Sequence, residues 1–268
     1  MNDPVPAYLT PFVLTGMILV ITSLLLGLQR ALRRSTWPEA DRAKAFWSVS
    51  ALLVGWFAVA AGSSLAGFYR PPSGHPPTIQ YGFLVPIILG LLLFRTWPLL
   101  RRTLALVPNR WLVGVQFYRV IGVIFLVLYA AGHLSAPFAW PAGIGDVLVG
   151  ITAPFVAASF ARSPKDSARR VLSWNLLGIA DLVVALTMGF LTSPSPFQLL
   201  SFDHPTQLVG IFPLSLIPVF AVPLSILLHF ASLQKLRRDP AIDYREWPPQ
   251  QITVSGAEKK KHAFSTQS

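Results

Sequence analysis

Residues 141–154 read PAGIGDVLVGITAP, a stretch in which one carboxylate, Asp146, interrupts a run of small and aliphatic side chains. Residues 138–161 around it contain no other charged side chain. That length matches the roughly 20 apolar residues that a helix needs to cross the hydrocarbon core of a bilayer. Because backbone that faces lipid must satisfy its own hydrogen bonds, this segment predicts a transmembrane helix that carries an acid.

The composition of the whole chain agrees with a membrane protein. Of its 268 residues, 53% are hydrophobic and 12% are charged, whereas soluble domains contain about 25% charged residues. The net charge of +11 would suggest nucleic-acid binding in a soluble protein. Here the basic residues lie in short segments between apolar runs, so we expect a lipid bilayer as the partner and no nucleic acid. The chain contains no cysteine, which excludes thiolate metal sites and iron–sulfur clusters.

Seven stretches of the sequence are long and apolar enough to span a membrane. They predict an all-α, polytopic bundle of seven transmembrane helices in one domain, residues 1–236, followed by a flexible basic cytoplasmic tail, residues 237–268. The predicted spans, numbered 1 to 7 along the chain, are about 9–29, 46–68, 79–99, 112–134, 138–161, 171–192 and 208–233.

The basic residues also predict the direction in which the spans cross. Of the 22 Lys and Arg residues, 20 fall in or beside the segments that follow spans 1, 3, 5 and 7. The alternate segments contain only Arg70, and Arg119 lies inside span 4. Lys and Arg are retained in the cytoplasm during insertion. We therefore expect the N-terminus outside and the C-terminus inside a bacterial-type cytoplasmic (inner) membrane.

Three ionisable residues fall deep inside predicted spans: Arg119, Asp146 and Asp181. One charged side chain at the bilayer centre costs at least ~2.5–3.5 kcal/mol, so three unpaired charges are not expected. We predict that spans 4, 5 and 6 adjoin and that Arg119 pairs with one or both carboxylates. Gln116 lies one turn from Arg119 and is expected to add a hydrogen bond to this buried polar cluster.

The two acids lie in similar segments, GIGDVLVGIT (143–152) and GIADLVVALT (178–187). In each, small residues three positions before and four positions after the Asp share its helix face. Small residues let transmembrane helices approach closely, so each acid is predicted to face another helix and not lipid. Because the two segments cross in opposite directions, they are also compatible with the inverted repeats of many transporters.

The cluster allows a functional and a structural interpretation. Two carboxylates and one guanidinium leave one negative charge when all are ionised, so we expect one acid to hold a proton. That property suits a proton relay or a cation site. The alternative is an interhelical salt bridge that only fixes the register of the helices.

Two further sets of residues are weaker candidates. Pro213, Pro218 and Pro223 in predicted span 7 each remove a backbone donor, and kinks of this kind can line a cavity. Imidazoles and a carboxylate at the predicted outer face could bind zinc or copper, although no short ligand spacing is present. These outer-face residues are His75, His133, His204 and Asp203.

No cofactor is assigned from the sequence. Retinal needs a lysine inside the membrane for its Schiff base, and every Lys lies in a predicted loop or in the tail. A b-type haem needs two histidines that face each other. His133 and His229 fall near opposite ends of their predicted spans, so a haem site is not expected.

The combination of QFYRVIG (116–122) with PAGIGDVLVG (141–150) resembles a group of bacterial multi-pass membrane proteins with no assigned activity. The resemblance covers spans 4 to 7. It implies a membrane location and no particular substrate.

Three functions remain open on the sequence alone. The first is a small-solute or proton-linked transporter component centred on the buried cluster, which predicts a cavity that reaches the acids. The second is a non-catalytic membrane subunit, in a homo-oligomer or with another membrane protein, which predicts a dry core and an exposed face of small residues. The third and weakest is a lipid-acting enzyme, which predicts that the outer histidines converge. No catalytic residue is assigned.

Overall fold

The computed structural model describes residues 5–70, 75–203 and 205–238, and every regular element in these ranges is helical. Seven helices, some built from consecutive helical segments, are long and apolar enough to cross a membrane. The predicted all-α bundle of seven spans is therefore confirmed. Almost all of the predicted tail, residues 237–268, lies outside the described residues.

The helical elements follow one another along the chain with short connections. They are α1 Leu9–Arg33, α2 Glu39–Leu65, α3 Ile79–Thr96, α4 Pro98–Leu106, α5 Asn109–Gly114, a 3₁₀-helix Val115–Gly122, α6 Val123–Ala130, α7 Ala136–Arg162, α8 Pro164–Thr192, a second 3₁₀-helix Leu208–Gly210, a π-helix Ile217–Ala221 and α9 Val222–Arg238. Span 4 consists of α5, the first 3₁₀-helix and α6, whereas span 7 consists of the π-helix and α9.

The short helix α4 was not predicted, because span 3 was predicted to continue to residue 99 and so included the first two residues of α4. Pro98 begins it at the first helical position, where a missing N–H costs nothing. Leu100 is buried, whereas Arg101 and Arg102 are exposed. Such an amphipathic helix suits the membrane interface.

Span 7 is the central helix of the bundle. Every residue from 213 to 229 is buried, whereas in α3, on the outside, Gly82 is the sole buried residue. The prediction that span 7 begins at about residue 208 was wrong, because its helix begins at Ile217. The preceding residues are apolar but fold over the end of the bundle, where Leu214 and Leu216 are fully buried.

The two ends of the bundle differ in character. Segments 66–70, 75–78, 131–135, 193–203 and 205–216 lie at one end, which we call the cavity face. Segments 34–38, 97–108 and residue 163 lie at the other end, which we call the basic face. At the basic face Nζ of Lys235 donates to the carbonyl of Ala105 at 2.7 Å, which ties α9 to α4.

Candidate functional site

Arg119 lies on the buried side of the 3₁₀ part of span 4. A 3₁₀-helix has three residues per turn, so Gln116, Arg119 and Gly122 stack on one side, and all three are buried. The Arg119 residue as a whole is 2% exposed. Stretches of 3₁₀ geometry within a longer helix often mark a hinge or a strained site.

Arg119 forms ion pairs with both predicted carboxylates. Its Nε donates to Oδ1 of Asp146 at 2.8 Å, and its Nη2 lies 2.7 Å from the same oxygen. Nη2 also donates to Oδ2 of Asp181. Helices α7 and α8 thus present one acid each to a single guanidinium, and the structure places together the three charged residues that the sequence singled out.

Small residues allow α7 to approach both α8 and the 3₁₀ segment of span 4 closely enough for these ion pairs to form. A Cβ added at Gly122 would overlap the side chain of Asp146, and one added at Gly145 would overlap the carboxylate from α8. At Gly150, a Cβ would lie 2.7 Å from the backbone nitrogen of Val120. The small-residue face of α7 therefore packs directly against the 3₁₀ segment that carries the arginine.

His229 of α9 is a fourth member of the cluster, and the sequence analysis did not identify it. It is fully buried, with its Nε2 3.4 Å from Nη1 of Arg119 and its Nδ1 2.9 Å from Oδ1 of Asn175. Because an amide oxygen only accepts, Nδ1 carries the proton and Nε2 accepts from the guanidinium. Asn175 also donates to Oγ of Ser232 at 3.0 Å, so a polar chain leads from the cluster towards the basic face.

The prediction that His229 lies near the end of its span was wrong because the helix begins later than residue 208 and also continues beyond residue 233. Within Ile217–Arg237 the imidazole lies in the middle of the helix. The glycine at position 178 indicates that another side chain packs closely there, since a Cβ on Gly178 would lie 2.5 Å from the imidazole Nε2 of His229. The Gly178 carbonyl also accepts from Nη1 of Arg119 at 3.3 Å.

Gln116 does not form the expected hydrogen bond with Arg119. Its Nε2 instead donates to the carbonyl of Ser225 at 3.0 Å, and its Oε1 has no partner among the described residues. Beside it, the Tyr118 hydroxyl donates to the carbonyl of Ala221 at 2.8 Å and lies 2.5 Å from Oγ of Ser225. This second polar patch joins span 4 to span 7 next to the cluster.

A cavity of about 440 Å³ runs from the cavity face to Asp146. Its wall is largely apolar and aromatic, with Phe83, Phe125 and Phe138 contributing from three helices. Polar residues line its mouth: Tyr69, Arg70, Ser193, Thr206 and Gln207. Asp146 lies ten residues into α7, about 15 Å from the start of the helix at 1.5 Å per residue. Its side chain remains 9% exposed, so the ion-paired acid borders this cavity.

The other predicted site residues have separate locations. Pro218 lines the cavity, whereas Pro213 and Pro223 do not. His75 and Asp203 are exposed, His133 is half-buried, and His204 lies outside the described residues. Within the described ranges, no group of three or more His, Asp and Glu residues could hold a metal ion.

The cluster joins four membrane-spanning segments around one arginine. Two carboxylates share that arginine, so the cluster has one negative charge in excess when both are ionised. One of them also borders a cavity, through which a proton or a cationic group can reach it. The arrangement can therefore bind and release one positive charge.

Residues 76–237 match the family described as a domain of unknown function, DUF8737. The match covers more than half of the chain and includes every member of the cluster, so the chain belongs to this family. No curated protein and no solved structure matches it.

Proposed function

We propose that this member of the DUF8737 family is a membrane carrier for a small solute, with solute movement coupled to protonation of the buried cluster. The observation that carries the proposal is the cavity that ends on Asp146, a carboxylate that is already paired with Arg119. Ionisable side chains inside a membrane are costly, and those that border a cavity are typical of substrate and proton pathways.

The charge of the cluster supports coupling. Arg119 contributes one positive charge, whereas Asp146 and Asp181 contribute two negative charges when ionised. A bound proton, or a cationic group on the solute, brings the sum to zero, which is strongly favoured where the dielectric constant is low. Either one lowers the affinity for the other, and that competition can link solute movement to a proton gradient.

Two interrupted helices beside the cluster are the elements that we expect to move. Span 4 changes to 3₁₀ geometry at Val115, and span 7 begins as the π-helix Ile217–Ala221. The hydrogen bond from Tyr118 to the carbonyl of Ala221 joins the two irregular stretches. Discontinuous helices near the binding site are a recurring feature of secondary transporters.

We also propose that the basic face is cytoplasmic and that the protein lies in a bacterial-type inner membrane. The concentration of Lys and Arg in the segments after spans 1, 3, 5 and 7 supports this orientation. The cavity then opens to the outside.

The absence of cysteine from the chain allows a direct test with single cysteines. Ala185 lines the cavity one turn from Asp181 and is only half-buried, so we expect Ala185→Cys to react with a membrane-impermeant cationic methanethiosulfonate. A carrier that alternates between two states exposes this thiol in turn to each side of the membrane. Modification is therefore expected both in right-side-out vesicles and in inverted vesicles.

Three matched cysteines complete the labelling experiment. Thr36→Cys and Asp203→Cys are exposed at opposite faces and report which face each vesicle presents, with Asp203→Cys expected to react in right-side-out vesicles. Gly55→Cys has open space around its Cβ and lies near the middle of predicted span 2, so it should stay unmodified in both kinds of vesicle. If Ala185→Cys reacts from one side only, the protein binds a ligand without carrying it across, and the carrier proposal fails.

The second candidate function, a non-catalytic membrane subunit, is supported by one face of α2. Small residues Ala51, Gly55, Ala58 and Gly62 follow one another at helical spacing and are all exposed. Faces of this kind promote close helix association in membranes, and we take a second copy of this chain as the partner.

Oxidative cross-linking tests that candidate. In native membranes Gly62→Cys is expected to form a disulfide-linked dimer, whereas Ile88→Cys on the exposed side of α3 is not. Equal cross-linking of both variants would indicate random collision and contradict self-association through α2.

A further inference from the structure

A second opening in the structure lies at the basic face, on the opposite side of the protein from the cavity mouth. It is a crevice of about 670 Å³ between α3, α4 and α9. Three arginines line it, one from each of these helices: Arg95, Arg101 and Arg237. None of the lining residues in the described part of the chain is acidic. The crevice therefore has a formal charge of +3.

The crevice is divided into an apolar and a charged part. In α3, Leu91 lies one turn before Arg95 and Phe94 directly precedes it, and in α9 Leu233 and Phe230 lie one and two turns before Arg237. Both helices run towards the basic face, so the apolar side chains lie deeper in the membrane than the guanidinium groups. A ligand that fills the crevice needs an anionic head at the interface and a hydrocarbon part below it.

Electrostatics favours an anion despite the helix ends nearby. The C-termini of α3 and α9 each contribute about half a negative charge, so together they oppose the three arginines with about one charge. Two full positive charges remain. Guanidinium groups bind phosphate oxygens in bidentate geometry, and basic pockets between transmembrane helices at the cytoplasmic side accept anionic lipid headgroups.

We infer that this crevice is a binding site for an anionic phospholipid, with the phosphate group on Arg95, Arg101 and Arg237 and an acyl chain along the apolar residues below them. The inference is independent of the carrier proposal, because it uses no residue of the cavity or the cluster. Arg101 is already held towards Arg95, since its Nη1 lies 3.5 Å from the Arg95 carbonyl.

The test is competition between lipids for the purified full chain in non-ionic detergent, measured by native mass spectrometry. Phosphatidylglycerol is expected to be retained over phosphatidylcholine, which has the same acyl chains. Each arginine is expected to contribute about as much as one charge at a membrane surface. Single Arg→Gln changes at the three positions should therefore lower the affinity for phosphatidylglycerol about fivefold, and the triple variant should lower it about a hundredfold. Arg102→Gln, the neighbour in α4 that does not line the crevice, should leave retention unchanged.

Three other results would each contradict a specific site for an anionic phospholipid. An equal loss in Arg102→Gln would mean that the whole basic face attracts lipid without a site. Displacement of the lipid by millimolar inorganic phosphate would mean that the arginines bind a free anion. Equal retention of both lipids would overturn the inference outright. The arginines are exposed, so the variants should unfold at the parent temperature, which confirms that a loss of lipid is not a loss of fold.

Discussion

Replacement of Arg119 by Gln is expected to lower the free energy of unfolding by about 3–5 kcal/mol, the usual cost of removing one partner from a buried ion pair. The change leaves two carboxylates facing each other in the bundle with no counter-charge. It also removes the donors to the carbonyl of Gly178 and to His229. At the sensitivity of a domain of this size, the midpoint of thermal unfolding in detergent should fall by about 10 °C.

A matched series separates charge from shape in this prediction. In the Arg119→Gln background, Asp146→Asn and Asp181→Asn remove the uncompensated charges, so the triple variant should recover most of the lost stability. The recovery follows because effects within one ion-pair network are not additive. The control Arg169→Gln changes an exposed side chain at the basic end of α8 and should unfold at the parent temperature. Equal stability of parent and Arg119→Gln would mean that the guanidinium is not needed to neutralise the acids.

The position of the cluster explains why this one arginine has so large an expected effect. Asp146 belongs to α7, Asp181 to α8 and His229 to α9, and each of them lies within hydrogen-bonding distance of Arg119. Four spans are therefore aligned on one side chain. The same contacts that fix the bundle also border the cavity, so any change in the charge of the cluster alters contacts among all four spans.

The number of spans and the pairing of the charges could be predicted from the sequence because both follow from the cost of polar groups in lipid. Runs of about 20 apolar residues leave no other backbone structure. Arg119, Asp146 and Asp181 were too costly to leave unpaired. The glycines around Asp146 indicated that it faces another helix, and the structure places it there.

Hydropathy could not reveal where protein replaces lipid as the surroundings of a residue. Leu214 looks like part of a transmembrane helix, yet it lies in a turn that is buried by other parts of the protein, where irregular backbone is allowed. Because both ends of span 7 were predicted too early in the chain, His229 was placed too near the end of its helix. The 3₁₀ geometry around Arg119 could not be predicted either. The spacing of three residues between Gln116 and Arg119 places both on one face in an α-helix as well as in a 3₁₀-helix.

Gly150→Ala is expected to cost about 1–3 kcal/mol, as overpacking of a tight interior usually does. The added Cβ would lie 2.7 Å from the backbone nitrogen of Val120 and 3.2 Å from the backbone carbon of Arg119. Neither backbone atom can rotate away, so α7 must move back from the 3₁₀ segment. Asp146 lies one turn from Gly150 on the same face, and this shift also lengthens its ion pair with Arg119.

Gly62→Ala is the matched control, because the same change in α2 meets no atom within 4 Å. Alanine is favoured over glycine inside a helix by roughly 0.5–1 kcal/mol, so Gly62→Ala should unfold at the parent temperature or slightly above it. Thermal unfolding in detergent should therefore move in opposite directions for the two variants. If both midpoints rise, α7 and the 3₁₀ segment have room to separate, and the close approach that positions Arg119 between the two acids is not required for the stability of the bundle.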